Sequence, residues 1–367
     1  MATTIQRYVN TGSTAGGDGT TNNTIGSTRA FASLSEWDTA MAARGKGIVA
    51  ADETHIVDCC GATADSAGVT VSGWTTNATH RVLIQGNASH ANGRHAGVWS
   101  TSKYRLSVVG TDTTPCLYVN DDDIDVLGIQ LNPLGNGNYA NMGFNTGTGV
   151  TSANTGKWKE LVIKNSASLS ATSGNPTGAV LKSNSSVPMY FANSIIYDFK
   201  RNDGSGRGID HNYPDVYLYN VTVQNCAIGV NGENSYIRAK NVIAQDCTNG
   251  FNGSFHAVSN YNISDIAADA PGANSKQATV SFLDKANDNF HLADGDTAAK
   301  GWGLNLTADA NFPFTDDIDG ETRPASGLWC AGADENFAGG TNQPMALRNS
   351  GVPFVKDCSW RQRNLNL

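Results

Sequence analysis

Five residues between positions 201 and 211 are the best local candidates for chemistry: Arg201, Asp203, Arg207, Asp210 and His211. An aspartate flanked by arginine and histidine can act as a general base or offer a ligand. The same residues can equally form a charged end to a stacked ladder, with Asp210 paired to Arg207. A second acidic run, Asn120-Asp121-Asp122-Asp123-Ile124-Asp125, has the paired carboxylates that glycoside hydrolysis uses. Its place just before a strand also suits a solvated turn, because Asn and Asp readily hydrogen-bond their own backbone there. Asp317-Ile318-Asp319-Gly320 opens like a calcium loop but lacks the remaining ligands of an EF-hand. His55, His80, His90, His95, His256 and His291 show no partner spacing and are read as ordinary surface or core histidines.

The elements that must position these groups follow from an internal repeat. Gly208-Ile209-Asp210-His211, Gly229-Val230-Asn231-Gly232 and Gly250-Phe251-Asn252-Gly253 recur at a spacing of 21 residues. Asn220-Val221-Thr222-Val223-Gln224-Asn225-Cys226 is answered in the same phase by Asn241-Val242-Ile243-Ala244-Gln245-Asp246-Cys247. Short β-branched runs broken by Gly and Asn at such a period read as a solenoid adding one turn of chain per repeat. The runs are too short for helices, and no Leu-x-x-Leu-x-Leu frame is present. An all-β, parallel β-helix fits. Stacking then places Asn231 above Asn252 and Cys226 above Cys247, and stacked amides can bond along the axis. The Gly beside each ladder position would allow the positive φ of a tight corner. Where that ladder should carry a third Asn, the chain has Asp210.

Composition narrows the rest. Charged residues make up 16% of the 367 and glycine 40 of them, so the surface rests on Asn, Ser, Thr and Gly. The net charge of −8 comes without any basic run, which removes the electrostatic footprint of nucleic-acid binding. No run approaches the ~18 apolar residues of a membrane span. Seven cysteines, an odd number without C-x-x-C spacing, point to buried reduced thiols and folding in a reducing cytoplasm. Residues 1–20 show no secretory signal pattern.

Along the chain, Arg7-Tyr8-Val9-Asn10 reads as a first strand. A helix follows, opening near Phe31 and ending near Arg44, with Ser33 or Ser35 as its N-cap. This cap covers residues 1–45, the β-helix 46–336 and a tail of different character 337–367. Ser194-Ile195-Ile196-Tyr197-Asp198 leads the Val221 run by 27 residues, so one loop on that rung is longer.

Several motifs resemble right-handed parallel β-helix proteins of the pectin-lyase-like superfamily. At the N-terminal end they are Tyr8-Val9-Asn10, Gly16-Gly17-Asp18-Gly19-Thr20 and Ala30-Phe31-Ala32-Ser33-Leu34. At the other end they are Asp288-Asn289-Phe290-His291-Leu292, Asp317 through Pro324, and Gly332-Ala333-Asp334-Glu335. The usual Trp-Asp-Ile-Gly is here Trp329-Cys330-Ala331-Gly332. The resemblance implies a right-handed coil and is shared by lyases, hydrolases, adhesins and bacteriophage virion proteins. The Gly-His-Gly of polygalacturonase-like members is missing. Calcium, as in pectate-lyase-like members, has no support, and no cofactor or metal is expected. The expectation is a tailed-bacteriophage surface protein, either capsid decoration or spike. It would be made in the host cytoplasm and assemble as a homotrimer. It would touch other virion proteins through residues 340–367 and contact cell-surface polysaccharide. A polysaccharide-cleaving tailspike, with the 201–211 cluster as its site, and a non-catalytic adhesin remain as alternatives.

Overall fold

A computed structural model describes residues 2–109, 115–134, 142–151, 156–165, 175–183, 187–212, 215–232 and 234–336. Within them the strands form a 14-stranded and a 7-stranded sheet whose pairings are all parallel, successive chain turns adding rungs to both through the middle of the molecule. This is a parallel β-helix. The rungs follow the repeat: Ile228 pairs with Asn249, Val230 with Phe251 and Asn231 with Asn252. The 27-residue offset also appears, with Ser194 beside Val221.

Period-two alternation turns one side of each strand into the column, and in the long strand Val216–Gln224 the other side is buried as well. Val216, Leu218, Val221 and Val223 are fully buried inside the column, at roughly 1.5–3 kcal/mol for each such side chain. Between the two halves of the long strands the chain turns sharply. Glu160, Asn193, Asn220 and Asn241 occupy that corner on successive rungs, with φ of 59°, 46°, 52° and 58°. Asn tolerates this left-handed conformation better than other side chains, because its short amide can bond locally. All four side chains are buried, so they must also find partners there.

Of the repeated glycines, Gly253, beside Asn252, takes the positive φ expected of a corner, at 88°, while those that open each repeat answer a different need. Gly208, Gly229 and Gly250 keep φ outside the left-handed region. A Cβ on Gly208 would come within 2.5 Å of Val223 Cγ1 and 2.6 Å of the Gly229 carbonyl. They are glycines because the column is narrow there. The corners themselves are turned mostly by Asn and Asp, and on one rung by Glu160.

The helix spans Leu34–Arg44 with Ser33 as N-cap, its side chain accepting the Glu36 N–H at 3.0 Å. Leu34, Trp37 and Met41 are buried, and Trp37 stacks on Trp74 at 5.5 Å, joining the helix to the column's core. The strand before it, Thr3–Asn10, pairs in register with Glu53–Cys60 and is itself the first rung of the larger sheet.

The last parallel pairing is Ile263–Ser264 with Lys276–Gln277. A short antiparallel pair, Phe282–Asp284 with Asn289–Leu292, then starts a return segment. Residues 304–329 lay Leu306, Phe312, Phe314 and Trp329 against Ala192, Tyr217 and Tyr219 on the outer face of the larger sheet. The expected docking tail, residues 337–367, lies outside the described residues.

Candidate functional site

The 201–211 cluster is resolved into two separate pairs and a buried ring. Arg201, itself buried, holds the exposed Asp203 at 2.9 Å, and Asp203 also accepts from the Ser205 N–H and hydroxyl. Arg207 Nη1 donates to Asp210 Oδ2 at 2.5 Å on the outer face of the smaller sheet. Asp210 Oδ1 accepts from Asn231 Nδ2 at 2.8 Å, and Asn231 Oδ1 accepts from Asn252 Nδ2 at 2.7 Å. The ladder is therefore continuous, and Asp210 ends it as an acceptor closed by Arg207. His211 is buried, with Nδ1 3.4 Å from the Asn231 carbonyl. Neighbouring residues of a strand point to opposite faces, which puts the His211 ring and the Asp210 carboxylate on opposite sides of the sheet. The five residues are adjacent in the chain without forming one reacting centre.

The acidic run is placed on the larger sheet. Asp121 accepts the Trp74 N–H at 2.9 Å and Asp122 the Thr151 N–H at 2.9 Å, as turn-forming side chains do. Asp123 and Asp125 both bind Arg81, Asp125 through two oxygens at 2.9 and 2.6 Å. Burial pushes the Asp123 carboxyl up to about 6, partly offset by Arg81. Beside them, burial lowers the ammonium pKa of Lys157, whose backbone N–H donates to Asp125 Oδ1 at 2.9 Å. A carboxylic acid shifted up and an amine shifted down on one face are the tuning acid–base chemistry uses. Here the guanidinium occupies the space between the two carboxylates. The sequence carries a signal for Arg81: it precedes Val82-Leu83-Ile84 as Asp123 precedes Ile124-Asp125-Val126, and those runs pair in register.

Four of the supposedly unpartnered histidines do face carboxylates. His55 lies 3.0 Å from Glu53, His80 3.0 Å from Asp52, His90 3.5 Å from Asp58 and His291 3.6 Å from Asp319. All but the first of these partners are distant in sequence, so spacing carries no trace of them. His291 belongs to the return segment, where it also approaches Asp334 at 3.9 Å. Nearby, Arg323 is fully buried and donates to Glu335 at 2.8 Å and to the Ala333 carbonyl at 2.8 Å. Lys159 binds Glu160 at 2.9 Å and also pairs with Asp316, tying column to return segment.

The expected thiol stack is present. Cys226 and Cys247 are buried, each thiol donating to the carbonyl two residues earlier, at 3.4 and 3.5 Å. Burial, then the neighbouring Cys247 thiol, push the Cys226 thiol well above its ordinary value. Among the described residues no group of three His, Cys, Asp or Glu side chains is placed to hold a metal ion. No helix among them is long and apolar enough to cross a membrane.

Compared with protein-family models, curated proteins and solved structures, the chain matches none.

Proposed function

We propose that this chain is a structural protein on the surface of a tailed-bacteriophage particle, as a capsid decoration or spike that contacts glycans. Its support is the parallel β-helix together with the cap and closing motifs that resemble pectin-lyase-like virion proteins. The observation that carries the structural reading is how the reactive residues are spent. Asp210 is held by Arg207 and Asn231, Asp203 by Arg201, and both Asp123 and Asp125 by Arg81. These groups serve the stack. Buried cysteines, which need no oxidising compartment to fold, accord with assembly in a host cytoplasm.

Counting this chain in purified particles by quantitative mass spectrometry and imaging tests the reading. Hundreds of copies mean capsid and a handful mean tail, whereas absence from the particle overturns it. Native mass spectrometry reads the proposed homotrimer. A chain lacking residues 340–367 that stays bound to particles sinks the anchoring role of that segment.

One observation favours a second reading, a polysaccharide-degrading spike: the opposed shifts of Asp123 and Lys157 within the acidic run's surroundings. Release of reducing ends or unsaturated sugars from a host capsule would support it, provided Asp123→Asn abolishes release and spares folding. Glycan binding without product leaves the non-catalytic reading standing.

A further inference from the structure

A cavity of about 290 Å³ opens where three adjacent strands of the larger sheet end, lined by Asn10, Asn22, Cys60, Ser89, His90 and Asn92. Asn10 pairs in register with Cys60, so the ends of two rungs form its floor, and residues 89–92, in the loop after the third strand, form its wall. Asn22, from the entry loop, is the keystone. Its Oδ1 accepts from Asn10 Nδ2 at 3.1 Å and from the Cys60 thiol at 3.0 Å. Its Nδ2 faces His90 Nδ1 at 3.2 Å. An amide nitrogen can only donate, so His90 Nδ1 accepts and the ring proton sits on Nε2. That nitrogen lies 3.5 Å from Asp58 Oδ2, and the same carboxylate accepts from Gln85 at 2.6 Å and Asn87 at 2.8 Å. The Tyr8 ring meets His90 edge-on at 5.7 Å and fixes its orientation.

The chemistry of this lining is narrow. Burial pushes the Cys60 thiol up to about 11, so it stays a protonated donor and is neither nucleophile nor metal ligand. No lysine or arginine lines the cavity, and the Asp58 carboxylate behind His90 disfavours an anion. What remains is amides, a hydroxyl and an imidazole, interleaving donors with acceptors. Ser89 Oγ and Asn92 Oδ1, both on exposed residues at the mouth, carry no hydrogen bond among the described residues. The volume sits at the small end of ligand pockets, near about 300 Å³.

We propose that this cavity binds a neutral hexose unit at the end or side branch of a polysaccharide. It rests on the glycan-contact part of the proposed function and assigns that contact to the capped end of the column. Ser89 and Asn92 meet the ring hydroxyls at the mouth, over a floor whose shape the Asn10–Asn22–Cys60 and Asn22–His90 bonds hold fixed.

The test uses the full chain on a glycan array carrying neutral-hexose-terminated and uronic-acid-terminated structures, followed by saturation-transfer NMR with methyl hexosides. Neutral hexose termini should bind and uronate termini should not. Ser89→Trp fills the mouth without touching the Asn22 network and should abolish binding at unchanged melting temperature. Asn92→Ala should weaken it about tenfold, the value of one good hydrogen bond. No binding, preference for uronates, or binding indifferent to Ser89→Trp each overturns the proposal. A chain counted on particles yet silent on the array would reject the cavity and spare the virion reading.

Discussion

Asn241 Nδ2 donates to Asn220 Oδ1 at 3.0 Å, two fully buried corner residues 21 positions apart that sit one above the other. Each then reaches outward to the return segment: Asn220 Nδ2 to the Gly332 carbonyl at 3.2 Å, and Asn241 Nδ2 to the Leu304 carbonyl at 2.9 Å. One side chain thus turns the backbone, continues the axial ladder and fastens the outer layer.

Asn220→Ala removes all three roles. A left-handed alanine costs about 1 kcal/mol, and buried partners left unmade cost roughly 1–3 kcal/mol more. The expected loss is about 2–4 kcal/mol by chemical denaturation. Asn220→Gly should lose less, because it keeps the φ of 52° without strain. Equal losses in the two variants would mean that only the hydrogen bonds matter.

Asp210→Asn extends the Asn231/Asn252 ladder while deleting the ion pair to Arg207. Both partners are partly exposed, at 21% and 28%, so the pair contributes no more than about 1 kcal/mol. Stability should change by under about 1 kcal/mol and the cooperative transition should persist. A collapse of the fold in this variant would show that the charge at the ladder's end is indispensable.

The return segment should loosen as pH rises. Burial alone would lower the His291 pKa, but Asp319 and Asp334 raise it above its ordinary value. A base raised in the folded state contributes stability that is present below about pH 6.5 and lost as pH climbs through the folded value. Burial pushes Asp334 up to about 6 against the pull of His291. An acid raised in this way favours the folded state as pH falls through 6, so both groups have the same sign. Hydrogen exchange over residues 289–336 should be slower at pH 5.5 than at pH 8.5, after correction for intrinsic rates. His291→Gln should shrink that difference.

At the opposite end the sign reverses. Hydrogen bonding from Arg44 holds Glu53 down to about 2, with burial opposing and His55 assisting. Its stabilising contribution is present above pH 4.5 and is lost as pH falls toward 2. Arg44→Gln should therefore lower stability at pH 7 more than at pH 2.5, as read by thermal melting at both.

Native protein should resist thiol reagents at Cys59, Cys60, Cys116, Cys226, Cys247 and Cys330, all of which are buried. Peptide mapping after brief iodoacetamide treatment should find these six unmodified until denaturant is added. Rapid native labelling of Cys226 would contradict a closed column.

The sequence alone determined the periodic part of this molecule. A 21-residue repeat of β-branched runs with Asn, Gly and Cys in phase dictates stacking, because identical side chains at strand spacing can satisfy each other only rung upon rung. Asp210, Asn231 and Asn252 were legible for that reason, as were Cys226 over Cys247 and the helix capped by Ser33. Which side of the sheet a neighbour faces, and who meets whom across the fold, was left to tertiary structure. Asp210 and His211 looked like partners, yet strand geometry separates them. His291 with Asp319, Lys159 with Asp316 and Arg81 with Asp123 meet only because the chain has coiled or folded back on itself. The cavity around Asn22 belongs to the same class. Its residues come from an entry loop, two rung ends and the loop after a third strand, so no local pattern could announce it.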